Sequence, residues 1–277
     1  MTLSGETEMD FTDRRILGRT GLSACRLGVS SGYGAPTEAF EEAFDRGINY
    51  FYWGSMRNEA MAKAIRAIIA RGTRDDLIIV LQSYSRSAGL MEIFFRRGLR
   101  TLGIDAADVL LLGWHNKLPS PRIMAKVLAM REKGMFRFLA VSGHNRHLFP
   151  TLAGDRNFDI FHIRYNAVHR GAEDEVFAKI TDLDRPGLAT YTATRWGDLL
   201  NPKKMPPGEL PPRGADCYRF VLTNPAVDVC MTGPRNTEEM REALAALQLG
   251  PLSYEEKARM VRIGDFIHTH YKRPFAG

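Results

Sequence analysis

Short apolar segments bounded by turn signals alternate with helical patterns along this chain, and that alternation restricts the fold more than any other feature. The strand-like segments are residues 27–30, 48–52, 77–82, 108–112, 137–142, 159–165, 188–191 and 227–231. The helical patterns are residues 36–46, 58–70, 88–102, 121–133, 147–153, 172–180, 215–223 and 237–247, and a last amphipathic helix covers 253–270. Short strands that alternate with helices imply a parallel sheet, and eight such units are what closure into a (β/α)8 TIM barrel requires. An open doubly wound sheet is the competing architecture, but no GxGxxG opens a first strand-helix turn. Ahead of the first strand, residues 15–28 hold two short alternating segments around a glycine-containing turn, which reads as a β-hairpin.

Length agrees with closure: 277 residues lie close to the roughly 250 typical of such a barrel, and one domain over residues 14–277 is expected. The first 13 residues carry Glu6, Glu8, Asp10 and Asp13 with no apolar core, and are expected to be a flexible lead. No apolar run approaches the ~20 residues of a membrane span, so a cytoplasmic protein with no membrane partner is expected. A formal charge of +6 spread thinly along the chain suits a small anionic ligand or a solvated surface better than nucleic acid. Nothing in the pattern indicates an oligomer. Cys25, Cys217 and Cys230 are few, odd in number and without ligand spacing, which argues against a disulfide framework and against a metal site.

In a parallel barrel the chemistry sits on the loops that follow the strands. The segment Gly47-Ile48-Asn49-Tyr50-Phe51-Tyr52-Trp53-Gly54 therefore sets a phenol, Tyr52, at a strand end, with Arg57 in the loop beyond it. Gln82, Tyr84 and His115 follow neighbouring strands, and His144 and His162 belong to later ones. A neutral tyrosine is a competent proton donor when a neighbouring acceptor or cation polarises it. Tyr52 and Trp53 read equally well as aromatics filling the barrel mouth. One segment breaks the rhythm: residues 201–213 form a long proline-rich stretch after the seventh strand, and a loop of that kind on the site face is expected to be a lid or a rim.

The hairpin, the Gly47-Ile48-Asn49 strand, Val141-Ser142-Gly143-His144, the stretch from Tyr165 to Glu173, and Gly233-Pro234-Arg235 together resemble the aldo-keto reductase family, in the right order over nearly the whole chain. The resemblance implies a barrel that binds NADP(H) and passes hydride between nicotinamide and a carbonyl of a small-molecule substrate. It places Tyr191 where the family stacks an aromatic on the nicotinamide, with Thr192 and Thr194 along the diphosphate. Ser142 falls at the carboxamide position, with Gly143 replacing the usual asparagine, and His162 stands where a glutamine is common. Gly233-Pro234-Arg235-Asn236 precedes a helix whose amides make a phosphate site, and Arg235 and Arg241 are the candidates for the 2'-phosphate. The adenine-side asparagine corresponds to Ala243.

The same alignment leaves the catalytic tetrad of aspartate, tyrosine, lysine and histidine unmatched. Tyr52 holds the aspartate position, Gln82 the lysine position and Gly113 the histidine position, and the tyrosine falls near Met56 or Arg57. The expectation is an NADP(H)-dependent oxidoreductase with a rearranged acid-base site: Tyr52 as donor, Arg57 and Gln82 as orienting groups, His115 or His144 as relay. The alternatives are a non-catalytic NADP(H) sensor or regulatory barrel, and a barrel turned to lyase or isomerase chemistry.

Overall fold

The computed structural model describes residues 9–54 and 58–271. Two short strands, β1 (Arg15–Ile16) and β2 (Ser23–Ala24), pair antiparallel as a hairpin. Barrel strands then alternate with helices: β3 (Leu27–Ser30), α1 (Thr37–Asp45), β4 (Tyr50–Trp53), α2 (Glu59–Ala70), β5 (Ile78–Ser83), α3 (Ala88–Leu102), β6 (Ala107–Leu112) and α4 (Pro121–Glu132). The second half continues with β7 (Phe136–Gly143), α5 (Leu148–Ala153), β8 (Ile160–Arg164), α6 (Ala172–Glu175), β9 (Gly187–Tyr191), α7 (Gly214–Leu222), β10 (Val229–Thr232), α8 (Thr237–Leu249) and α9 (Tyr254–His270). Strands β3 to β10 are parallel and close into a barrel, with β10 hydrogen-bonded to β3. The expected (β/α)8 barrel with its N-terminal hairpin and additional C-terminal helix is the observed fold.

Two-residue periodicity splits the core into two shells. Tyr50, Ile78, Val80, Val109, Leu111, Ala140, Ile160, Ala189, Val229 and Met231 fill the barrel interior. The intervening positions, among them Phe51, Ile79, Leu110, Val141 and Phe161, face the helices. The hairpin closes the N-terminal end, where Leu17 and Ala24 join the interior shell. It lies so close to β9 that a Cβ on Gly18, whose φ is +48°, would stand 2.3 Å from the Gly187 nitrogen.

One device recurs around that end. An Asn or Asp at the start of every second barrel strand accepts the backbone N–H of the preceding strand: Asn49 from Cys25, Asp108 from Ile79, Asp159 from Leu139 and Asp228 from Leu188, at 2.8 to 2.9 Å. The three aspartates are each paired with arginine: Asp108 with Arg74 and Arg137, Asp159 with Arg131, and Asp228 with Arg185 and Arg15. A buried carboxylate is tolerated only when it is paired and hydrogen-bonded, and here both conditions are met.

Two local expectations need correction, and the lid-or-rim alternative for residues 201–213 resolves to a rim. Phe11, inside the stretch expected to be flexible, is fully buried, with the Arg26 guanidinium 5.3 Å from its ring centre. The helix expected over residues 172–180 stops at Glu175, because Val176 leaves the helical region (φ −127°, ψ −61°) and is buried in the core; a 3-10 turn over Phe177–Lys179 follows. The proline-rich loop is a fixed rim. Its Met205 is buried, Glu209 and the Leu210 carbonyl take Arg259 of α9, and the Lys203 carbonyl takes the Tyr271 hydroxyl. Among the described residues no helix is long and apolar enough to cross a membrane. All three cysteines are buried and free.

Candidate active site

The opposite, C-terminal end of the barrel is built differently. Continuing the inward alternation past the apolar shell brings Tyr52, Gln82, Gly113, Ser142, Arg164, Tyr191 and Gly233 to the mouth. The loops around it carry backbone strain. Among the described residues, the non-glycine residues with positive φ are Trp114, Thr192, Arg195 and Trp196, at +51° to +64°, all of them in the loops after β6 and β9. Such residues cluster where the surrounding structure over-determines the backbone, commonly at ligand sites.

On the β4–β6 side the cluster is made of phenols and an amide. A Cβ on Gly54 would stand 2.7 Å from the Gln82 Cβ and 2.8 Å from the Tyr52 hydroxyl, so both side chains pack onto that glycine. A Cβ on Gly113 would fall 1.9 Å from Gln82 Nε2 and 2.9 Å from the Tyr84 ring. The family's histidine position is thus closed by the glutamine at its lysine position. Burial holds Tyr52 well above the ordinary phenol range, and a hydrogen bond to Tyr84, with Tyr33 and Tyr191 nearby, acts in the same direction. Burial thus favours the protonated phenol at Tyr52. Arg57, the cation expected beside it, lies outside the described residues.

The histidines expected as relays stand on the β6–β7 side. His115 is buried beneath Gly143, where a Cβ would fall 2.0 Å from the His115 carbonyl oxygen, and burial with Arg86 nearby lowers its pKa to about 4. His144 packs against Trp114, ring centres 5.6 Å apart, and burial lowers its pKa too. Tyr84 is the foremost side chain acting on Tyr52, and neither His115 nor His144 is among the described groups that act on it. Two polar atoms in this half, Gln82 Oε1 and His115 Nε2, are buried with no hydrogen-bond partner among the described residues. Such atoms are costly unless something satisfies them.

On the β7–β9 side the residues expected at the nicotinamide do come together. Ser142 and His162 are direct register partners on β7 and β8, and Arg164 and Tyr191 are partners on β8 and β9. The Tyr191 hydroxyl donates to the Gly143 carbonyl at 3.2 Å, so its ring leans across the mouth from β9 toward β7. Ser142 Oγ accepts the Trp114 N–H at 3.1 Å. His162 is buried, its Nε2 lies 2.8 Å from the Tyr50 hydroxyl, and burial lowers its pKa to about 3. Beyond Tyr191, Asn166 Nδ2 donates to the Thr192 carbonyl, and Thr194 Oγ1 accepts the Gly197 N–H.

The loop after β10 is also at this end, and its charges are already engaged. Tyr33 packs on Gly233, where a Cβ would meet its ring at 2.7 Å, and the Pro234 carbonyl accepts the Ala35 N–H. Asn236 caps α8 by accepting the Glu239 N–H at 2.8 Å. Arg235 is paired with Glu239 and Arg241 with Glu42. A nucleotide phosphate here has to take the two guanidiniums from carboxylates. Ala243 is fully buried in α8, so the adenine-side position faces the core.

Sequence reasoning missed two residues of this region. Arg164 is buried at the mouth two positions after His162, and its charge helps lower the pKa of both His144 and His169. Tyr50 lies two positions before Tyr52. Counting by two from the residues already singled out reaches both. A cavity of about 520 Å³ lined by Arg74, Asp105, Asp108 and Arg137 lies at the N-terminal end. Arg74, Asp108 and Arg137 in its walls are an ion-pair cluster of the strand starts, and the strained loops and orphaned polar atoms of the mouth identify the site better than that cavity does.

No protein-family model matches the sequence, and no curated protein matches it significantly. Solved structures do match. The holo form of the aldo-keto reductase AKR11C1 from Bacillus halodurans is similar at a TM-score of 0.75 and 16% identity, covering 91% of this chain and 96% of that one. Its apo form gives 0.71 and 17%, with 91% and 95% covered. A Pseudomonas aeruginosa protein provisionally described as an aldo-keto reductase gives 0.67 and 18%, with 86% and 96% covered. At these identities the likeness establishes that the chain has the aldo-keto reductase fold.

Proposed function

We propose that this chain is a divergent member of the aldo-keto reductase family, an NADP(H)-dependent oxidoreductase acting on a small carbonyl-like molecule with a rearranged acid-base site. The observation that carries the reading is the set of Ser142, His162 and Tyr191 on three adjacent strand ends, in the order the family resemblance requires. The fit is good at the nicotinamide: an aromatic face at Tyr191 and two polar side chains, Ser142 and His162, in register. Toward the phosphates, Arg235 and Arg241 fit in charge but exchange partners on binding.

NADPH, when bound, supplies the hydride. The chain's part is to hold and to protonate. Ser142 and His162 would grip the carboxamide, Tyr191 would lie against the ring, and Arg235 with the N-terminal amides of α8 would hold phosphate. Tyr52 keeps its proton until a developing alkoxide at the mouth takes it, with Tyr84 as its hydrogen-bond partner. The test is NADPH consumption by the purified chain across a broad panel of carbonyls and imines. Turnover supports the reading, and tight NADPH binding with no turnover removes its catalytic half.

A specific observation favours the second reading, a non-catalytic NADP(H)-binding barrel. Among the described residues the groups acting on Tyr52 are other phenols, whereas an acid catalyst is ordinarily tuned by a nearby cation. That reading expects nucleotide binding and no chemistry.

A further inference from the structure

In the nicotinamide-side set, His162 is the residue whose donor and acceptor sit on two different atoms and are assigned by its tautomer. A glutamine at that place carries both a donor and an acceptor. A neutral imidazole carries one of each on two different nitrogens, and which is which depends on the bond the other nitrogen makes. We propose that Tyr50 is a positioning residue that locks His162 in the tautomer protonated on Nδ1, so that its remaining edge is a hydrogen-bond donor to the nicotinamide carboxamide oxygen. The ligand half of this inference rests on the function proposed above; the tautomer half does not.

Protons at the Tyr50–His162 contact can be counted. Tyr50 is fully buried in the barrel interior, among Ile78, Val80, Val109 and Ile160. Its hydroxyl has His162 Nε2, at 2.8 Å, as its partner among the described residues. If Nε2 carried the proton, the phenol would accept it and its own O–H would be left in an apolar interior with no acceptor. If Tyr50 donates, the O–H and the Nε2 lone pair are both satisfied. A buried donor without a partner is disfavoured enough to bias the tautomers by roughly tenfold or more. Ionisation offers no escape, because burial lowers the His162 pKa to about 3.

The surroundings hold the pair in place. Tyr50 fits because β3 carries Gly28 beside it: a Cβ there would stand 3.0 Å from Tyr50 Cδ1 and 2.7 Å from Met231 Sδ. The imidazole lies between two phenols of one strand, 5.9 Å from the Tyr50 ring centre and 6.2 Å from that of Tyr52. With Nε2 held by Tyr50, Nδ1 is the polar atom left for a ligand, and no described residue bonds it. Ser142, the register partner of His162, accepts from Trp114 and keeps its own proton to give. Two donors then serve one carboxamide oxygen.

Long-range nitrogen–proton NMR of the histidine rings in the full chain without nucleotide tests the lock, with His162 assigned by its loss in His162→Gln. The expected spectrum shows Nδ1 protonated and Nε2 bare, unchanged between pH 8 and pH 6. In Tyr50→Phe, which keeps the ring and removes only the hydroxyl, the two tautomers mix, while the other histidine signals stay. Nε2 protonated in the wild type overturns the proposal, as does a Tyr50→Phe spectrum identical to wild type. In NADPH titrations Tyr50→Phe is expected to bind about threefold to tenfold more weakly; unchanged affinity alongside a mixed tautomer overturns the donor role. A wild type that binds no NADPH sinks the function proposed above, while the spectrum still decides the lock.

Discussion

The two ends of this barrel are made of the same strands and differ in how their polar groups are used. At the N-terminal end, Asp108, Asp159 and Asp228 each take a backbone N–H and an arginine. At the C-terminal end, phenols face one another around Tyr52, Gln82 Oε1 and His115 Nε2 have no partner among the described residues, and the loops hold left-handed non-glycine residues. A fold can close one end with satisfied charges and leave the other unsatisfied, which separates the residues that make the barrel stable from those that make it bind.

The contrast can be broken by mutation. The largest expected effect is on turnover: Tyr52→Phe lowers kcat about 10²- to 10⁴-fold, with the thermal midpoint changed little, measured on whichever substrate the panel finds. Next is Asp228→Ala at the other end, which leaves Arg185 without its buried carboxylate and costs about 3–5 kcal/mol of stability. Denaturant unfolding reads that loss, and nucleotide affinity below the melting range stays unchanged. If Asp228→Ala instead weakens the nucleotide while stability holds, the division of labour between the ends is wrong.

A smaller effect is expected from pH. His162 is neutral in the folded chain down to about pH 3, whereas in the unfolded chain it takes a proton near 6.5. Below that value the unfolded state binds more protons, so stability is fully present above about pH 6.5 and is lost as pH falls toward 3, by up to ~1.4 kcal/mol per unit. The difference in melting temperature between wild type and His162→Gln, followed from pH 7.5 to 5, isolates this contribution. The smallest effect is expected from Glu239→Gln, which releases Arg235 from an exposed pair and improves NADPH over NADH by about twofold to fivefold.

Much of the fold is legible from periodicity. The helix expected over residues 88–102 is α3 to the residue, because its apolar stripe, Met91, Phe95, Leu99 and Leu102, repeats at helical spacing. The helix after β8 was misread because Val176 obeys the core rather than the local pattern. The strand-start device also left a trace in the sequence: Ile48-Asn49-Tyr50, Ala107-Asp108-Val109, Phe158-Asp159-Ile160 and Val227-Asp228-Val229 all set a polar residue between apolar ones at a strand start. Its meaning is visible only when the neighbouring strand is known. At the mouth, the substituted tetrad positions could be read by alignment, but the Tyr50–His162 bond joins opposite walls of the barrel, residues 112 apart in the chain. The Arg235–Glu239 pair shows a further limit, since a phosphate-binding arginine and a capped helix start have the same sequence signature.

In the proposed function the β7–β9 side of the mouth holds a nicotinamide ring against Tyr191. A fluorescence titration of NADPH into the wild type and into Tyr191→Ala tests it most directly. Saturable binding by the wild type, weakened about tenfold or more by loss of the aromatic face, is the predicted result. No binding by the wild type, or equal affinity in the two proteins, contradicts it.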